Sequence, residues 1–161
     1  MSENNAALIL VPASSTAYAD HLNSFHEAWV KTNTQGVRVE AIFDVRTSSF
    51  VKQRFDNACK NLSSSLGTDN VRSLYHGTIA SCCEFMVSTD TVSTQSLIST
   101  CNGLECSVCK IVSNGFDKGR IGINHRPENW FRFGPGFYFS TLTSKCHYYG
   151  HPGGNIYFDY C

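Results

Sequence analysis

The sequence has no excess of charge of either sign. Its 161 residues carry 13 Lys and Arg side chains against 13 Asp and Glu, so the formal net charge is zero. A protein that binds nucleic acid through its phosphates usually concentrates Lys and Arg on one face. The charge balance therefore gives no support for a polyanion-binding protein.

Long apolar runs are also absent. No stretch approaches the ~18 consecutive apolar residues of a membrane-spanning helix, so no membrane partner is expected. The apolar segment 6–11 follows no Lys or Arg and is cut short by Pro12, unlike a secretory signal peptide. We therefore predict that 8–11 is a first β-strand and that the protein is intracellular, either cytoplasmic or nuclear.

The remaining composition is that of a single globular domain. Hydrophobic residues make up 42% and charged residues 16% of the chain, and its length suits one core. The 1–70 part predicts strand, helix, strand and helix in turn. Apolar side chains recur at helical spacing over 18–29 and alternate over 37–45, and a second helix precedes a polar loop over 63–70. We expect one α+β domain over 1–161.

The 71–161 part opens with a His-Gly-Thr motif. The apolar run from Val71 predicts a strand that ends at a corner formed by His76, Gly77 and Thr78. Because glycine has no side chain, a ligand can approach the backbone N–H and C=O groups beside the histidine.

A Gly-rich turn opens a second motif about sixty residues later. The aromatic segment 136–140 predicts a strand that carries Tyr138, and 144–149 predicts a helix that carries Tyr149. A histidine beside bare backbone, together with two tyrosines, can form a slot for a flat polar ring.

The ordered pair of motifs resembles the NAD-binding core of the poly(ADP-ribose) polymerase-type ADP-ribosyltransferases. The resembling strings are His76-Gly77-Thr78, Phe133-Gly134-x-Gly136-x-Tyr138-Phe139-Ser140 and Ser144-Lys145-x-x-x-Tyr149. The resemblance runs from about Val37 to Tyr149 and is closest to a fungal version with cysteines between the motifs. It implies an α+β fold with a split β-sheet and flanking helices.

The resemblance also implies roles for individual residues. His76 would hydrogen-bond the ribose next to nicotinamide, and Thr78 would orient the histidine ring. The Gly77 backbone would hold the carboxamide, while Tyr138 and Tyr149 would stack on the nicotinamide ring. By resemblance, catalysis falls to His76 and Tyr138, and NAD binding to His76, Gly77, Thr78, Tyr138, Phe139, Ser144 and Tyr149.

The chain departs from the family pattern at two places. Cys146 stands where the family usually has a hydroxyl that donates to the carboxamide, and a thiol is a weaker donor. The family also places a Glu on a strand well downstream, whereas Asp159 is the only acid after Tyr149 and comes too early. The resemblance therefore implies that further strands follow Cys161, that another residue replaces the Glu, or that the chain is inert.

Half of the eight cysteines have the spacing of metal ligands. Cys106 and Cys109 are separated by two residues, Cys101 lies just upstream, and Cys82 opens the insert 82–109. Four such thiolates are typical of a structural zinc site. The spacing leaves open buried free thiols or a disulfide.

The leading interpretation is an enzyme that uses NAD as its substrate. It would cleave the nicotinamide–ribose bond and transfer ADP-ribose to a nucleophile on protein, nucleic acid or water. Two alternatives stay open. One is a catalytically degenerate module that binds NAD or a partner, and the other is a small zinc-stabilised interaction domain.

Overall fold

The computed structural model has a mixed α+β architecture, which confirms the predicted class at that level. It describes residues 6–30, 37–78, 80–82, 97–101, 106–121, 134–147 and 156–160. Within these ranges the chain forms four α-helices, a short 3-10 helix (Lys118–Arg120) and five strands, and the strands make two separate antiparallel sheets. No helix within the same ranges is long and apolar enough to cross a membrane.

The first sheet has three strands and is built around the N-terminal one. Strand β1 (Ala7–Leu10) lies between β2 (Phe43–Arg46) and β4 (Leu97–Ser99), and both pairs are antiparallel. Ala7 and Leu8 are each 3% exposed, so the central strand faces the interior. The predicted strand over 37–45 is therefore too long, because the ladder with β1 begins only at Phe43. One further backbone hydrogen bond, from the Val11 amide to the Ile42 carbonyl, lies next to this ladder.

The second sheet contains the His-Gly-Thr motif. Strand β3 (Leu74–Thr78) pairs antiparallel with β5 (Ile156–Tyr160). The prediction that the strand ends at His76 is wrong, because Gly77 and Thr78 continue the ladder with β5. The motif therefore lies within a strand and not at a corner.

The N-terminal half contains two helices. Helix α1 (Thr16–Glu27) is capped by the Ser15 hydroxyl, which accepts from the Tyr18 amide at 3.1 Å. Helix α2 (Ser49–Leu66) ends at Gly67, whose φ of 74° is the left-handed conformation that suits a C-cap. The predicted polar loop over 63–70 is therefore helical through Leu66, because the stop signal is the glycine and not the serines before it.

Helix α3 (Ser107–Asn114) packs its apolar side against β1. Val108, Cys109 and Val112 are buried, and the helix ends at Gly115 with φ of 70°. The sequence predicts a short helix over 105–113 that stops at Asn114-Gly115, and this helix end is confirmed. The hydrophobic core consists of Ala6, Leu8, Cys106, Val108, Cys109 and Val112.

Helix α4 (Thr143–Cys146) lies against β3 and is tied to α1. Thr143 donates from its hydroxyl to the Phe25 carbonyl at 2.9 Å and from its amide to the Ala28 carbonyl at 3.1 Å. The predicted strand over 136–140 is reduced to one bridge between Ser140 and Tyr75. Short elements of this kind are held by tertiary contacts more than by their own propensity.

Candidate NAD cleft and four-cysteine centre

A direct hydrogen bond joins the two predicted motifs. The His76 Nδ1 atom lies 3.0 Å from the main-chain carbonyl oxygen of Tyr138, although the two residues are 62 positions apart. On the same segment, Ser140 and Tyr75 exchange backbone hydrogen bonds of 2.8 and 3.0 Å. Because a carbonyl can only accept, Nδ1 carries the proton, and the neutral imidazole presents the Nε2 lone pair as an acceptor.

Aromatic rings surround the His76 imidazole. The Phe116 ring meets it edge-on, with centroids 5.0 Å apart and an interplanar angle of 86°, and the Phe139 ring lies 5.4 Å away. Phe116 also contacts Phe137 at 4.8 Å and Phe139 at 4.9 Å. We call Phe116, Phe137 and Phe139 the aromatic wall. Burial against it lowers the pKa of His76, and the bond to the Tyr138 carbonyl only partly opposes this effect.

Phe116 is the residue of this site that sequence reasoning missed. The sequence pattern predicts a long loop over 116–129 after the Asn114-Gly115 stop, and Phe116 is its first residue. The available signal was its position directly after Gly115, because an apolar residue just past a helix C-cap commonly packs back onto the fold.

The lowered pKa of His76 predicts a pH-dependent stability. In the unfolded chain the ring titrates near 6.5, and in the folded chain it titrates at lower pH. Between these two values the unfolded state binds more protons, so the free energy of unfolding should fall as the pH falls below 6.5 and level off below the folded pKa. Urea unfolding above and below that pH measures the effect.

The matched variants for this measurement are His76→Gln and His21→Gln. His21 is exposed on α1, so its replacement should leave the pH dependence as it is in the wild type. His76→Gln should flatten the dependence. A pH profile that is unchanged in His76→Gln would contradict the assignment to this ring.

Gly77 is covered by helix α4. A Cβ added at Gly77 would lie 2.9 Å from the carbonyl carbon of Cys146 and closer still to its oxygen. The backbone of α4 therefore fills the space that a side chain would need. Glycine is required here because two main chains approach each other at this point.

Cys146 also uses its thiol on the backbone of β3. Its Sγ donates to the Tyr75 carbonyl at 3.3 Å. Burial raises the pKa of the Cys146 thiol, although a hydrogen bond with the Gly77 backbone works in the opposite direction. This thiol is the group that replaces the expected hydroxyl donor.

The other predicted NAD-site residues have different environments. The Tyr138 hydroxyl donates to the Gly134 carbonyl. Thr78 is half-buried, Phe139 is 40% exposed, and Ser144 is 1% exposed within α4. Tyr149 lies outside the described residues. The described part of the chain thus brings His76, Tyr138 and Phe139 together, with α4 beside them.

The four predicted cysteine ligands converge on one point. The Sγ atoms of Cys82, Cys101, Cys106 and Cys109 all lie within 4.8 Å of one another. The Cys82 sulfur is 3.4 Å from Cys106 and 3.6 Å from Cys109, and all four cysteines are free thiols. Ligands bound at about 2.3 Å to a tetrahedral Zn²⁺ lie about 3.8 Å apart. The spacing of these sulfurs can therefore accommodate a metal ion of that size.

Backbone dipoles favour negative charge at this centre. Cys106 and Cys109 lie at the N-terminus of α3, where helix amides stabilise thiolates. The Cys101 amide donates to the Cys109 sulfur at 3.3 Å.

The four thiols do not share one proton affinity. Burial alone would raise the pKa of Cys106, but the backbone groups of Cys109 and Ser81 and the neighbouring thiols hold it at about 7. Burial is also the main reason why the pKa of Cys82 rises to about 12 and that of Cys109 is raised. A cation would relieve the repulsion that four thiolates would otherwise have.

No protein-family model matches the chain, and no curated protein matches it. The fold and the site therefore define an α+β protein with a four-cysteine cluster able to hold a structural metal.

Proposed function

We propose that the chain is an NAD-binding domain of the ADP-ribosyltransferase type. It would cleave the nicotinamide–ribose bond and transfer ADP-ribose to a nucleophile. The observation that supports the proposal is the 3.0 Å contact between His76 Nδ1 and the Tyr138 carbonyl, because it joins the two motifs on which the resemblance depends.

His76 supplies the polar recognition in this proposal. Its Nε2 lone pair accepts a hydrogen bond from a ribose hydroxyl, while Nδ1 is held by Tyr138. The lowered pKa keeps the ring neutral near pH 7, so Nε2 remains an acceptor. Burial of the imidazole against the aromatic wall strengthens that hydrogen bond.

The second candidate is a module that binds NAD without transferring ADP-ribose. Cys146 favours it, because its thiol is engaged by the Tyr75 carbonyl and the Gly77 side of β3 is covered by α4. A carboxamide would then be held less firmly, and the departure of nicotinamide would be supported less well.

The two candidates separate in one experiment on the whole chain. Calorimetric titration with NAD should give binding under both, whereas release of free nicotinamide should occur only if the chain is a transferase. His76→Ala should abolish NAD binding, and His21→Ala, on an exposed face of α1, should leave it intact. If NAD gives no heat with the wild-type chain, both candidates are wrong.

We further propose that the four-cysteine centre holds one Zn²⁺ as a structural ion. All-cysteine tetrahedral sites suit zinc, and they stabilise folds whose apolar core is small. Among the described residues, the largest side chains under 2% exposed are Val108, Val112, Thr143, Cys109 and Ser144. Elemental analysis of the purified chain should find one zinc per molecule, and a metal-free, folded chain would contradict the proposal.

A further inference from the structure

We propose that metal binding at the four-cysteine centre positions the His76 imidazole through α3 and Phe116. Phe116 is then a positioning residue for the cleft, and the metal regulates that cleft from a distance. The relevance to NAD rests on the function proposed above, whereas the coupling between the metal site and His76 does not depend on that function.

Helix α3 connects the two sites directly. Cys106 precedes its first residue and Cys109 lies in its first turn, while Phe116 comes two residues after its last residue, Asn114. Eight residues at about 1.5 Å each make a helix about 12 Å long. The same short rod therefore carries two sulfur ligands at one end and the ring that contacts His76 at the other.

The rod is held along its length. Val108 and Val112 are 1% and 2% exposed against the core, and Ser113 donates to the Thr100 hydroxyl at 3.0 Å. The Gly115 amide donates to the Ile111 carbonyl at 2.8 Å, so the helix ends in a fixed turn. A shift of the ligand end is therefore transmitted to Phe116 and is not absorbed within α3.

The cysteines draw together three chain segments. Cys82 follows β3, and Cys101 follows β4. Cys106 is the N-cap residue of α3, and Cys109 lies in its first turn. Without an ion, these sulfurs are joined by weak thiol hydrogen bonds, among them those of 3.4 Å between Cys82 and Cys106 and of 3.6 Å between Cys82 and Cys109. A bound ion therefore fixes α3 relative to β3, which is the strand that carries His76.

Coupling of this kind is reciprocal. If zinc binding favours the arrangement in which Phe116 packs on His76, then that packing favours zinc binding by the same factor. Removing the packing must therefore lower the zinc affinity by that factor. The zinc affinity of a Phe116 variant therefore measures the coupling on folded, metal-loaded protein, without NAD.

The test compares Phe116→Leu with Phe50→Leu. Phe50 is 61% exposed on α2, so it controls for loss of an aromatic ring at a surface site. Two quantities are measured on each chain: the zinc affinity, by competition with a chelator, and the pKa of His76, by NMR titration of the zinc-loaded form. We expect Phe116→Leu to weaken zinc binding by about fivefold or more and to raise the pKa of His76 toward 6.5. Phe50→Leu should do neither.

The pKa measurement distinguishes positioning from a merely structural role. The described neighbours of the imidazole are the rings of Phe116 and Phe139 and the carbonyl of Tyr138. A changed pKa therefore reports the cover given by those groups. If only the zinc affinity changes, Phe116 has a structural role alone and the proposal is overturned. If only the pKa of His76 changes, Phe116 is not coupled to the metal and the proposal is overturned as well.

A second comparison is available should Phe116→Leu and Phe116→Met both fail to fold. The pKa of His76 is then measured in the wild-type chain with and without zinc. A rise on metal removal, with the other resonances retained, supports the coupling. An unchanged pKa, or unfolding of the whole chain, overturns it in favour of an ion that acts on the fold alone. NAD binding fails or succeeds independently of these results.

Discussion

Cys109→Ser is expected to abolish the zinc binding proposed for the four-cysteine centre and to lower the stability of the whole fold. The Cys109 sulfur is buried in the core, accepts the Cys101 amide at 3.3 Å and lies 3.6 Å from Cys82. A serine hydroxyl is a poor ligand for zinc and is costly to bury without partners. Zinc affinity should fall by more than the ~100-fold that loss of an outer-shell partner costs.

The stability change follows from linkage. An ion that binds only the folded state, at a free concentration about 1,000 times its Kd, adds about 4 kcal/mol to the free energy of unfolding. That contribution is lost when the metal no longer binds. Elemental analysis and thermal unfolding measure the two effects. Cys59→Ser is the matched control, because Cys59 is half-buried on α2 and lies outside the cluster. It should keep its zinc, and a Cys109→Ser chain that also keeps one equivalent would remove this sulfur from the ligand set.

Gly77→Ala should destabilise the fold more than any other single-methyl addition at the described glycines. The new Cβ would lie 2.9 Å from the Cys146 carbonyl carbon, a main-chain atom that cannot rotate away. Helix α4 must then separate from β3, and the Cys146 bond to Tyr75 is lost with it. We expect a loss of about 3 kcal/mol, which lowers the melting temperature by roughly 6–12 °C.

Gly136→Ala provides the control within the second motif. A Cβ at Gly136 meets nothing within 4 Å, so the change should stay within about 0.5 kcal/mol. Thermal unfolding of the two variants side by side checks the difference. Equal melting temperatures would mean that α4 does not lie against Gly77 in solution.

Local signals in the sequence predicted one helix end and missed another. The Asn114-Gly115 stop was confirmed, because glycine is the residue that tolerates a positive φ at a C-cap. The same rule, applied at Gly67, would have extended α2 through Leu66. The two-residue spacing of Cys106 and Cys109, with Cys101 upstream, predicted the cysteine cluster, because structural zinc sites use ligands at this spacing.

Strand length could not be predicted from pattern alone. Alternation over 37–45 indicates which side chains share a face, but the ladder extends only as far as its partner. Strand β1 has four residues, so only Phe43–Arg46 can pair with it. For the same reason β3 runs on past His76, because β5 pairs with it through Thr78, whereas Ser140 forms only a single bridge with Tyr75. The contact of Phe116 with His76 depends on where α3 lies relative to β3, and local sequence patterns do not predict the relative position of two elements.

The order of strands in the first sheet has a consequence during synthesis. Strand β1 leaves the ribosome before both of its partner strands, and one of its two edges stays unpaired until Leu97–Ser99 has been translated. An unpaired edge is a template for joining another chain. Nascent molecules therefore pass through a long interval with this edge unpaired. Premature termination or crowding on a polysome during that interval would favour aggregation. A chaperone that shields the edge would raise the yield of folded protein.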